Sequence, residues 1–439
     1  MLGSKHRTLA TPGVGPTKTG YVNDADLYYT HEEKLLMNNN GMDQTTPNNA
    51  SVWTRDFIII ALINLTAIAS CNMLVTGIPV YIVQLGGSDI MAGLAITITT
   101  ICALLIRPFS GVAMNRFGRR NILIVCLIVL TLNTYANALF PVISIILVLR
   151  MIHGASWGIS TTVVSTIAAD NIPRKRFAEG MGYFAMSTSL ALAVSPALSL
   201  ALLQNIGINT MVIVSTIICA ASLLFSTMQK PQQRVVDDIK NKLTWTDLFE
   251  KHAFLPSAMM FLYSCSLASI TTFIALHALS RDVDTIFIYF IVYSVVNVVS
   301  RPFIGKIIDQ KGFFFPVLFS AVGVGITLLI ISFSTNIFMF CIAGIFGGLG
   351  LGTGTGALQT MAVASVPPKR RGVAMSTFFI GFDGGLAVGS AVAGILSNAL
   401  GYSSMYMIFT VFPAIAFFVF ISRGKRRIDE YSKYSKDDD

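Results

Sequence analysis

Asp383, Arg150 and His153 are ionisable side chains that lie well inside long apolar stretches of this chain. A charge inside such a stretch costs roughly 2.5–3.5 kcal/mol on membrane-insertion scales, so a retained one is a candidate for function. Asp383 lies eleven residues past the start of an apolar stretch at residue 372. At 1.5 Å per helical residue that depth is about 16 Å, near the middle of a bilayer. A carboxyl group there is suited to take up and release a proton, or else to bond into a helix interface.

Arg150 and His153 are three residues apart, which places them on one face of a helix. An arginine does not release protons, so Arg150 is suited to hold a carboxylate or another anionic group. A histidine facing a cavity is suited to carry protons. We therefore predict that Asp383, Arg150 and His153 form a proton-coupling site.

Several uncharged amide side chains also lie within the apolar stretches. Such groups either contact a substrate in a central cavity or serve as hydrogen bonds between helices. The predicted cavity positions are Asn64, Asn72, Asn297 and Gln359.

Motifs typical of enzymes are absent or misplaced. Residues 154–158 fit the Gly-x-Ser-x-Gly pattern, but they fall within a predicted membrane helix and not on a strand-to-helix turn. The glycine-rich run 347–356 lacks the Lys-Ser/Thr ending of a phosphate-binding loop. The six cysteines lie in apolar stretches without metal-ligand spacing. We predict no catalytic residues, no metal site and no cofactor, and a protein that is not an enzyme.

The composition indicates a membrane protein. Hydrophobic residues make up 54% of the 439 and charged residues 12%, against roughly a quarter charged in soluble domains. The chain divides into twelve apolar stretches near 57–83, 89–108, 121–140, 142–168, 177–203, 208–228, 253–280, 284–303, 314–332, 336–365, 372–399 and 403–422. Each is close to the 20 residues that a spanning helix needs. The fold class predicted is an all-α membrane protein with twelve transmembrane helices.

The distribution of basic residues predicts the topology. Lys and Arg form short clusters in alternate loops, whereas the loops on the opposite side contain one basic residue, Arg281. This asymmetry places both termini in the cytoplasm. We expect a cytoplasmic tail over 1–52, a first bundle over 53–228, a cytoplasmic linker over 229–252, a second bundle over 253–422 and a tail over 423–439. No continuous basic face exists, which argues against nucleic acid as a partner.

One peptide occurs twice. Residues 107–111, Arg-Pro-Phe-Ser-Gly, return as 301–305, Arg-Pro-Phe-Ile-Gly, shifted by 194 residues. At the same shift Gly118 falls on Gly312, and Asn115 falls on Asp309. Parallel repeats of this kind are typical of secondary transporters, whose substrates bind near the bilayer midplane between the halves. The sequence thus predicts two pseudo-symmetric six-helix bundles.

The residues after the first copy of this peptide resemble a motif of the major facilitator superfamily. Gly111 to Arg120 resembles the loop motif Gly-x-x-x-Asp-Arg-x-Gly-Arg-Arg, with Asn115 at the acidic position. Residues 147–154 resemble the fourth-span motif Leu-x-x-x-Arg-x-x-Gln-Gly, and the glycines that drug antiporters have around Pro196 are missing. The resemblance, over about 53–425, implies a cytoplasmic latch between the bundles formed by Gly111, Asn115, Arg116, Gly118, Arg119, Arg120, Asp170 and Asp309.

The resemblance further implies a monomeric secondary transporter of the plasma membrane. Three functions are considered for the chain. The first is proton-coupled efflux of a drug-like compound or small metabolite by alternating access. The second is an uptake carrier for a small solute, and the third is a non-transporting membrane receptor or scaffold. The expected partners are a small-molecule substrate, protons and the lipid bilayer.

Overall fold

A computed structural model describes residues 51–87, 89–230, 245–283, 285–364 and 366–422. The predicted tails, apart from residues 51 and 52, and residues 231–244 of the predicted linker lie outside this part of the chain. Within it, all regular secondary structure is helical. The predicted all-α fold class is confirmed.

Twelve long helices account for most of the described residues. Eleven helical segments of the described chain are long and apolar enough to cross a membrane. The last of them, residues 368–422, is broken at Gly401 and counts here as two helices. The helices are α1 (Arg55–Gln84), α2 (Asp89–Phe117), α3 (Arg119–Leu139), α4 (Ile143–Asp170), α5 (Phe177–Asn205), α6 (Ile208–Met228), α7 (Phe254–Leu279), α8 (Phe287–Lys311), α9 (Phe314–Phe333), α10 (Ile337–Ala364), α11 (371–400) and α12 (402–409, continued by 411–422 after a turn at residue 410).

The break between α11 and α12 is at Gly401, whose φ of 79° is a left-handed conformation that favours glycine. Its counterpart 194 residues earlier, Gly207, has a φ of 109° and separates α5 from α6. Gly118 and Gly312 form a second related pair, with φ of 85° and 76°, at the α2–α3 and α8–α9 corners. The repeat predicted from sequence is therefore present in the backbone at two kinds of corner.

Two helices are longer than the sequence predicted. The predicted second and eighth stretches ended at residues 108 and 303, whereas α2 continues to Phe117 and α8 to Lys311. Neither Pro108 nor Pro302 ends its helix. Apolar composition marks only the part of a helix that lies in lipid, so a helix that continues into polar residues was cut short. Arg107 and Arg301 are consequently ten residues inside their helices.

Separate apolar cores fill the two halves. One core is formed by buried residues almost entirely from α7 to α12 and another by residues mainly from α1 to α6, while a third lies among α1, α2, α4 and α6. The halves meet mainly where α2 packs on α11 and α5 packs on α8. The end of the molecule that carries Arg119, the Arg174–Arg176 turn and the Pro368–Arg370 turn is called here the basic end.

Candidate functional site

An ion pair joins the two halves in the middle of their helices. Arg107 of α2 lies with its Nε atom 2.5 Å from Oδ2 of Asp383 in α11, and both side chains are almost fully buried. Asp383 is twelve residues from the start of its helix, which places the pair well inside the apolar layer. The pair therefore joins α2 to α11 through opposite charges inside the apolar layer.

Arg107 is held by its own half as well. Its Nη1 atom donates to Oγ1 of Thr161 at 3.2 Å, Oγ1 of Thr162 at 3.1 Å and the carbonyl of Gly158 at 3.2 Å, all on α4. The guanidinium carbon lies 4.5 Å from the centre of the Phe379 ring. These contacts fix the guanidinium in one orientation, so Asp383 meets an already positioned cation.

Arg301 occupies the equivalent position in the second half. Its Nη2 donates to Thr355 of α10 at 3.3 Å, and Thr355 is the repeat counterpart of Thr161. Its Nε donates at 2.9 Å to Oδ1 of Asn297, one turn away on the same helix. Ser189 of α5, the counterpart of Asp383, donates to the same Oδ1 at 2.9 Å. The second crossing is therefore neutral at the position where the first has a carboxylate.

Two contacts between repeat counterparts mark the pseudo-twofold axis. Gln359 of α10 donates to Oγ of Ser165 in α4 at 3.3 Å, and the two residues are 194 apart. The guanidinium of Arg371 lies 5.5 Å from the ring centre of its counterpart Phe177. Residues that meet their own counterparts lie on the symmetry axis, so Gln359 is central between the halves.

The other two residues of the predicted proton-coupling site lie elsewhere. Arg150 and His153 are buried in α4, and Nη2 of Arg150 donates to Asn137 of α3 at 3.2 Å. Nε and Nη1 of Arg150 and Nδ1 of His153 have no hydrogen-bond partner among the described residues. No contact joins this cluster to Asp383, so the three residues do not form one constellation in this conformation. Their coupling role stays a prediction.

The four predicted cavity amides make bonds within the protein. Asn64 donates to Ser187 at 2.9 Å and to Thr188 at 2.7 Å, both on α5. Asn72 donates only to the carbonyl of Ile68 in its own helix. Asn64, Asn297 and Gln359 thus show the interhelical bonding that was the alternative for such residues, whereas Asn72 does not. Substrate contact stays a prediction for all four.

A charged cluster closes the basic end. Asp170, at the end of α4, pairs with Arg119 at the start of α3 and accepts from Nη1 of Arg371, at the start of α11, at 3.0 Å. Arg119 also donates to the carbonyl of Pro368 at 2.6 Å. Both arginines thereby tie the first half to the second. This geometry suits the predicted latch, whose role stays a prediction.

The remaining predicted latch residues either contact a neighbouring element or form a corner between helices. Oδ1 and Oδ2 of Asp309 accept from the backbone N–H groups of Ala178 and Glu179 at 2.9 and 2.8 Å, at the start of α5. The side chain of Asn115, its counterpart, makes no hydrogen bond to a described residue. The others are Gly111 packed on Val373, Gly118 at the α2–α3 corner, Arg116 over Phe117, and Arg120 donating to the Thr227 carbonyl.

The family comparison accounts for this architecture. A family model described as the Major Facilitator Superfamily matches residues 60–323 and 313–436. The chain belongs to the major facilitator superfamily. It is thus a transporter and a multi-pass membrane protein.

Curated relatives of this transporter include exporters. A protein named multi-drug resistance efflux pump PmrA homolog, from Lactococcus lactis, is 24% identical over 82% of this chain and 94% of that protein. The staphylopine export protein of Staphylococcus aureus is 22% identical over 80% of this chain and 92% of its own length.

Solved structures share the fold. The outward-facing structure of a bacterial homologue of the iron transporter ferroportin has a TM-score of 0.71 at 13% identity and covers 84% of this chain and 99% of that one. The major facilitator transporter FucP in its outward conformation has a TM-score of 0.70 at 14% identity, with 84% and 98% covered. The two-bundle transporter fold predicted from the sequence is confirmed.

Sequence reasoning about this transporter missed Arg107 and Arg301 as buried charges. Both belong to the repeated peptide, but the predicted stretches ended one or two residues after them, which made them ordinary arginines at helix ends. The available signal was the pair of glycines Gly118 and Gly312, which are the real helix corners and lie eleven residues beyond each arginine.

Proposed function

We propose that this transporter exports a drug-like compound or small metabolite by alternating access, and that protons drive it through Asp383. The observation that carries the proposal is the buried Arg107–Asp383 ion pair, which connects the two halves. Protonation of Asp383 removes its charge, and with it the attraction that keeps α2 on α11. A proton therefore changes the energy difference between closed and open states of this crossing.

Opening the basic end requires every bond that crosses between the halves there to break. Among described residues, the hydrogen bonds and ion pairs between the halves lie between the basic end and about the middle of the helices. Only the Arg107–Asp383 contact combines full burial, opposite charges and a titratable group. It is thus the contact at which a proton has the largest effect on the conformation.

The remaining parts of the proposal concern orientation and direction. The basic end faces the cytoplasm of the plasma membrane because basic loops are retained there. Export is supported by two relatives, which are named as a multi-drug efflux pump and a staphylopine export protein. A substrate would enter from the cytoplasm when the basic end opens, and a proton bound at Asp383 from the opposite side would return inward.

The test uses a cysteine at Gln359, on the symmetry axis between α4 and α10, in a chain whose six native cysteines are replaced. A membrane-impermeant maleimide reaches residue 359 from the basic end only when the halves separate. Labelling is expressed relative to that of a permanently exposed cysteine at the same pH, because the thiolate that reacts with maleimide becomes scarcer as the pH falls. We expect this relative labelling to increase as the pH falls, and to be high at every pH in Asp383→Asn. Labelling of residue 359 that is equally pH-dependent in Asp383→Asn would show that Asp383 is not the coupling residue.

A second cysteine, at Asn64, separates a carrier from a receptor or scaffold. In a carrier, residues 64 and 359 gain and lose access in different states, so conditions that increase labelling at one change it at the other. Labelling that never changes at either position favours a scaffold. Proteoliposomes loaded with a compound from a thermal-shift screen then give the direction. Accumulation along the proton gradient, in place of exchange against it, would favour an uptake carrier.

A further inference from the structure

The repeat allows the hydrogen-bond acceptors of two equivalent buried arginines, Arg107 and Arg301, to be compared. Arg107 has Thr161, Thr162 and Asp383 as side-chain acceptors. Arg301 is the same residue type at the equivalent position, and it retains the counterpart of Thr161 in Thr355. The remaining acceptors differ between the halves.

Two acceptors of Arg107 have no equivalent around Arg301. Ser189 stands where the first crossing has Asp383, and Gly356 stands where α4 has Thr162. A Cβ atom at Gly356 would lie 3.5 Å from Nη1 of Arg301, so a hydroxyl side chain there would be in a position to reach that nitrogen. Both changes remove oxygen atoms from the surroundings of one guanidinium.

The guanidinium of Arg301 consequently has unused donors. Of its five N–H groups, one bonds to Asn297 and one to Thr355, and Nη1 has no partner among the described residues. Arg301 is 9% exposed and has no carboxylate within ion-pair distance in the described part of the chain. A buried cation without a counter-ion is expensive unless a ligand supplies the opposite charge.

Small residues leave space beside Arg301. A gap of about 10 Å³ is bounded by Arg301, by Gly182 of α5 and by Gly352, Gly356 and Thr360 of α10. That volume admits about one water molecule. Because α5 forms one wall and belongs to the other half, the gap widens when α5 and α8 separate.

The charged side chains deep inside the helices are mostly positive, like Arg301 itself. Among described residues, Arg107, Arg150 and Arg301 each lie at least seven residues from the nearer end of their helix, and Asp383 is the carboxylate at comparable depth. The interior therefore carries more positive than negative charge, which favours anionic over cationic ligands.

We propose that Arg301 binds an oxyanion group of the transported substrate, a carboxylate or a phosphate. The site forms when α5 moves away from α8, and Nη1 and Nη2 then offer two parallel N–H donors to one oxyanion. This inference rests on the proposed function and adds the substrate's chemical class. Arg301 is a binding residue in it, and Asp383 remains the group that carries the proton.

The experiment measures binding to purified protein in detergent by thermal shift. The panel contains benzoate, 4-aminobenzoate, 2-oxoglutarate and phenyl phosphate, each with a neutral amide or phenol as its partner compound. We expect at least one anion to stabilise the protein and its neutral partner not to. Arg301→Gln should weaken that binding tenfold or more, the effect of losing a charge-assisted hydrogen bond.

Asn297→Asp provides the sharpest variant, with Asn297→Ala as its matched control. Aspartate is nearly isosteric with asparagine and would place a carboxylate oxygen 2.9 Å from Nε, so Arg301 would gain an internal counter-ion. We expect Asn297→Asp to weaken anion binding much more than Asn297→Ala, because only aspartate supplies a competing negative charge. Equal weakening by the two variants would show that a counter-ion beside Arg301 does not affect the site, which would overturn the inference.

Other outcomes overturn it as well. Stabilisation by neutral compounds alone, by no anion of the panel, or undiminished anion stabilisation in Arg301→Gln would each do so. These results are separable from a failure of the proposed function, because binding in detergent requires neither a gradient nor transport. A protein that binds anions through Arg301 but shows no change in access at residues 64 and 359 would retain this site and lose the transport cycle.

Discussion

The two places where the halves cross share a backbone design but differ in charge. At the α2–α11 crossing, Gly111 packs on Val373 and Ser376 donates to the Arg107 carbonyl. At the α8–α5 crossing, the counterpart Gly305 packs on Glu179, and Gly182 lies against the Arg301 carbonyl. The same close approach of helices is thus built twice. Ion pairing in the membrane interior is built once.

The difference indicates a division of roles between the crossings. In the first, opposite charges hold α2 to α11 at mid-depth, and the Arg119–Asp170–Arg371 cluster closes the basic end. In the second, the counterparts of that cluster are Phe313, Ala364 and Phe177. Pseudo-symmetric helix packing alone therefore does not dictate the charges, and a proton can affect one crossing without equally affecting the other.

The strongest test of this comparison removes each arginine in turn. Arg107→Gln leaves Asp383 buried without a partner, which should cost about 3–5 kcal/mol of unfolding free energy. Arg301→Gln leaves no unpaired charge behind, because the partners of Arg301 are the neutral side chains of Asn297 and Thr355. Its cost should be about 1 kcal/mol, from the lost hydrogen bonds. Unfolding of both variants in detergent, followed by circular dichroism against denaturant, measures the difference.

The double variant Arg107→Gln with Asp383→Asn serves as the control for that experiment. If the cost of the single change comes from an unpaired buried charge, the double variant recovers most of the lost stability. Equal costs for Arg107→Gln and Arg301→Gln would contradict the proposed difference between the crossings.

The next effect concerns the glycines at the two points of closest approach. A Cβ at Gly305 would lie 2.5 Å from the Ala178 carbonyl oxygen and 2.6 Å from the Glu179 Cα atom, whereas the nearest backbone atom to one at Gly111 would be the Val373 Cα at 3.0 Å. Backbone cannot move aside as a side chain does. Gly305→Ala should therefore cost about 1–3 kcal/mol and Gly111→Ala less. Thermal unfolding checks the order, and a larger loss in Gly111→Ala would be inconsistent with these contacts.

How much of this could be read from the sequence depends on range. Local composition predicts the twelve spans, and the fixed shift of 194 residues predicts the two related halves. The backbone agrees with that shift, because Gly207 and Gly401 both have a positive φ at equivalent corners. The partner of Asp383 could not be predicted from the sequence. Arg107 is 276 residues away in the chain, and only the packing of α2 on α11 brings the two side chains together.

A second reason is that one short motif can occupy two environments. Arg107 and Arg301 have the same following Pro-Phe, yet one meets Asp383 and the other Asn297. The two environments differ mainly because Ser189 replaces the counterpart of Asp383 and Gly356 replaces the counterpart of Thr162. Both residues lie on other helices, and neither belongs to a motif that would mark it in the sequence. Gln359 was predicted as polar and buried, but its position on the symmetry axis required the contact with Ser165.

A smaller effect is expected where Asp309 caps α5. Its two carboxylate oxygens accept from the first backbone N–H groups of that helix, which have no partner within the helix. Asp309→Ala should reduce the unfolding free energy by about 1 kcal/mol. It should also increase labelling of a cysteine at residue 359, since the cap crosses between the halves. A loss of stability with unchanged labelling would show that the cap supports α5 without holding the crossing closed.

The smallest effect is also the most direct comparison between the crossings. Asn115 is the repeat counterpart of Asp309, and the neighbouring Met114 lies against Gly372 in the first turn of α11. Asn115→Asp would bring a negative charge to the positive end of the α11 helix dipole, which is worth about 0.3–1 kcal/mol. We expect slightly higher thermal stability and reduced labelling of residue 359 at the basic end. Asn115→Ala, which adds no charge, is the matched control. An opening of the basic end in Asn115→Asp would contradict this expectation. It would indicate that the new carboxylate competes with Asp170 for Arg119 and does not stabilise the start of α11.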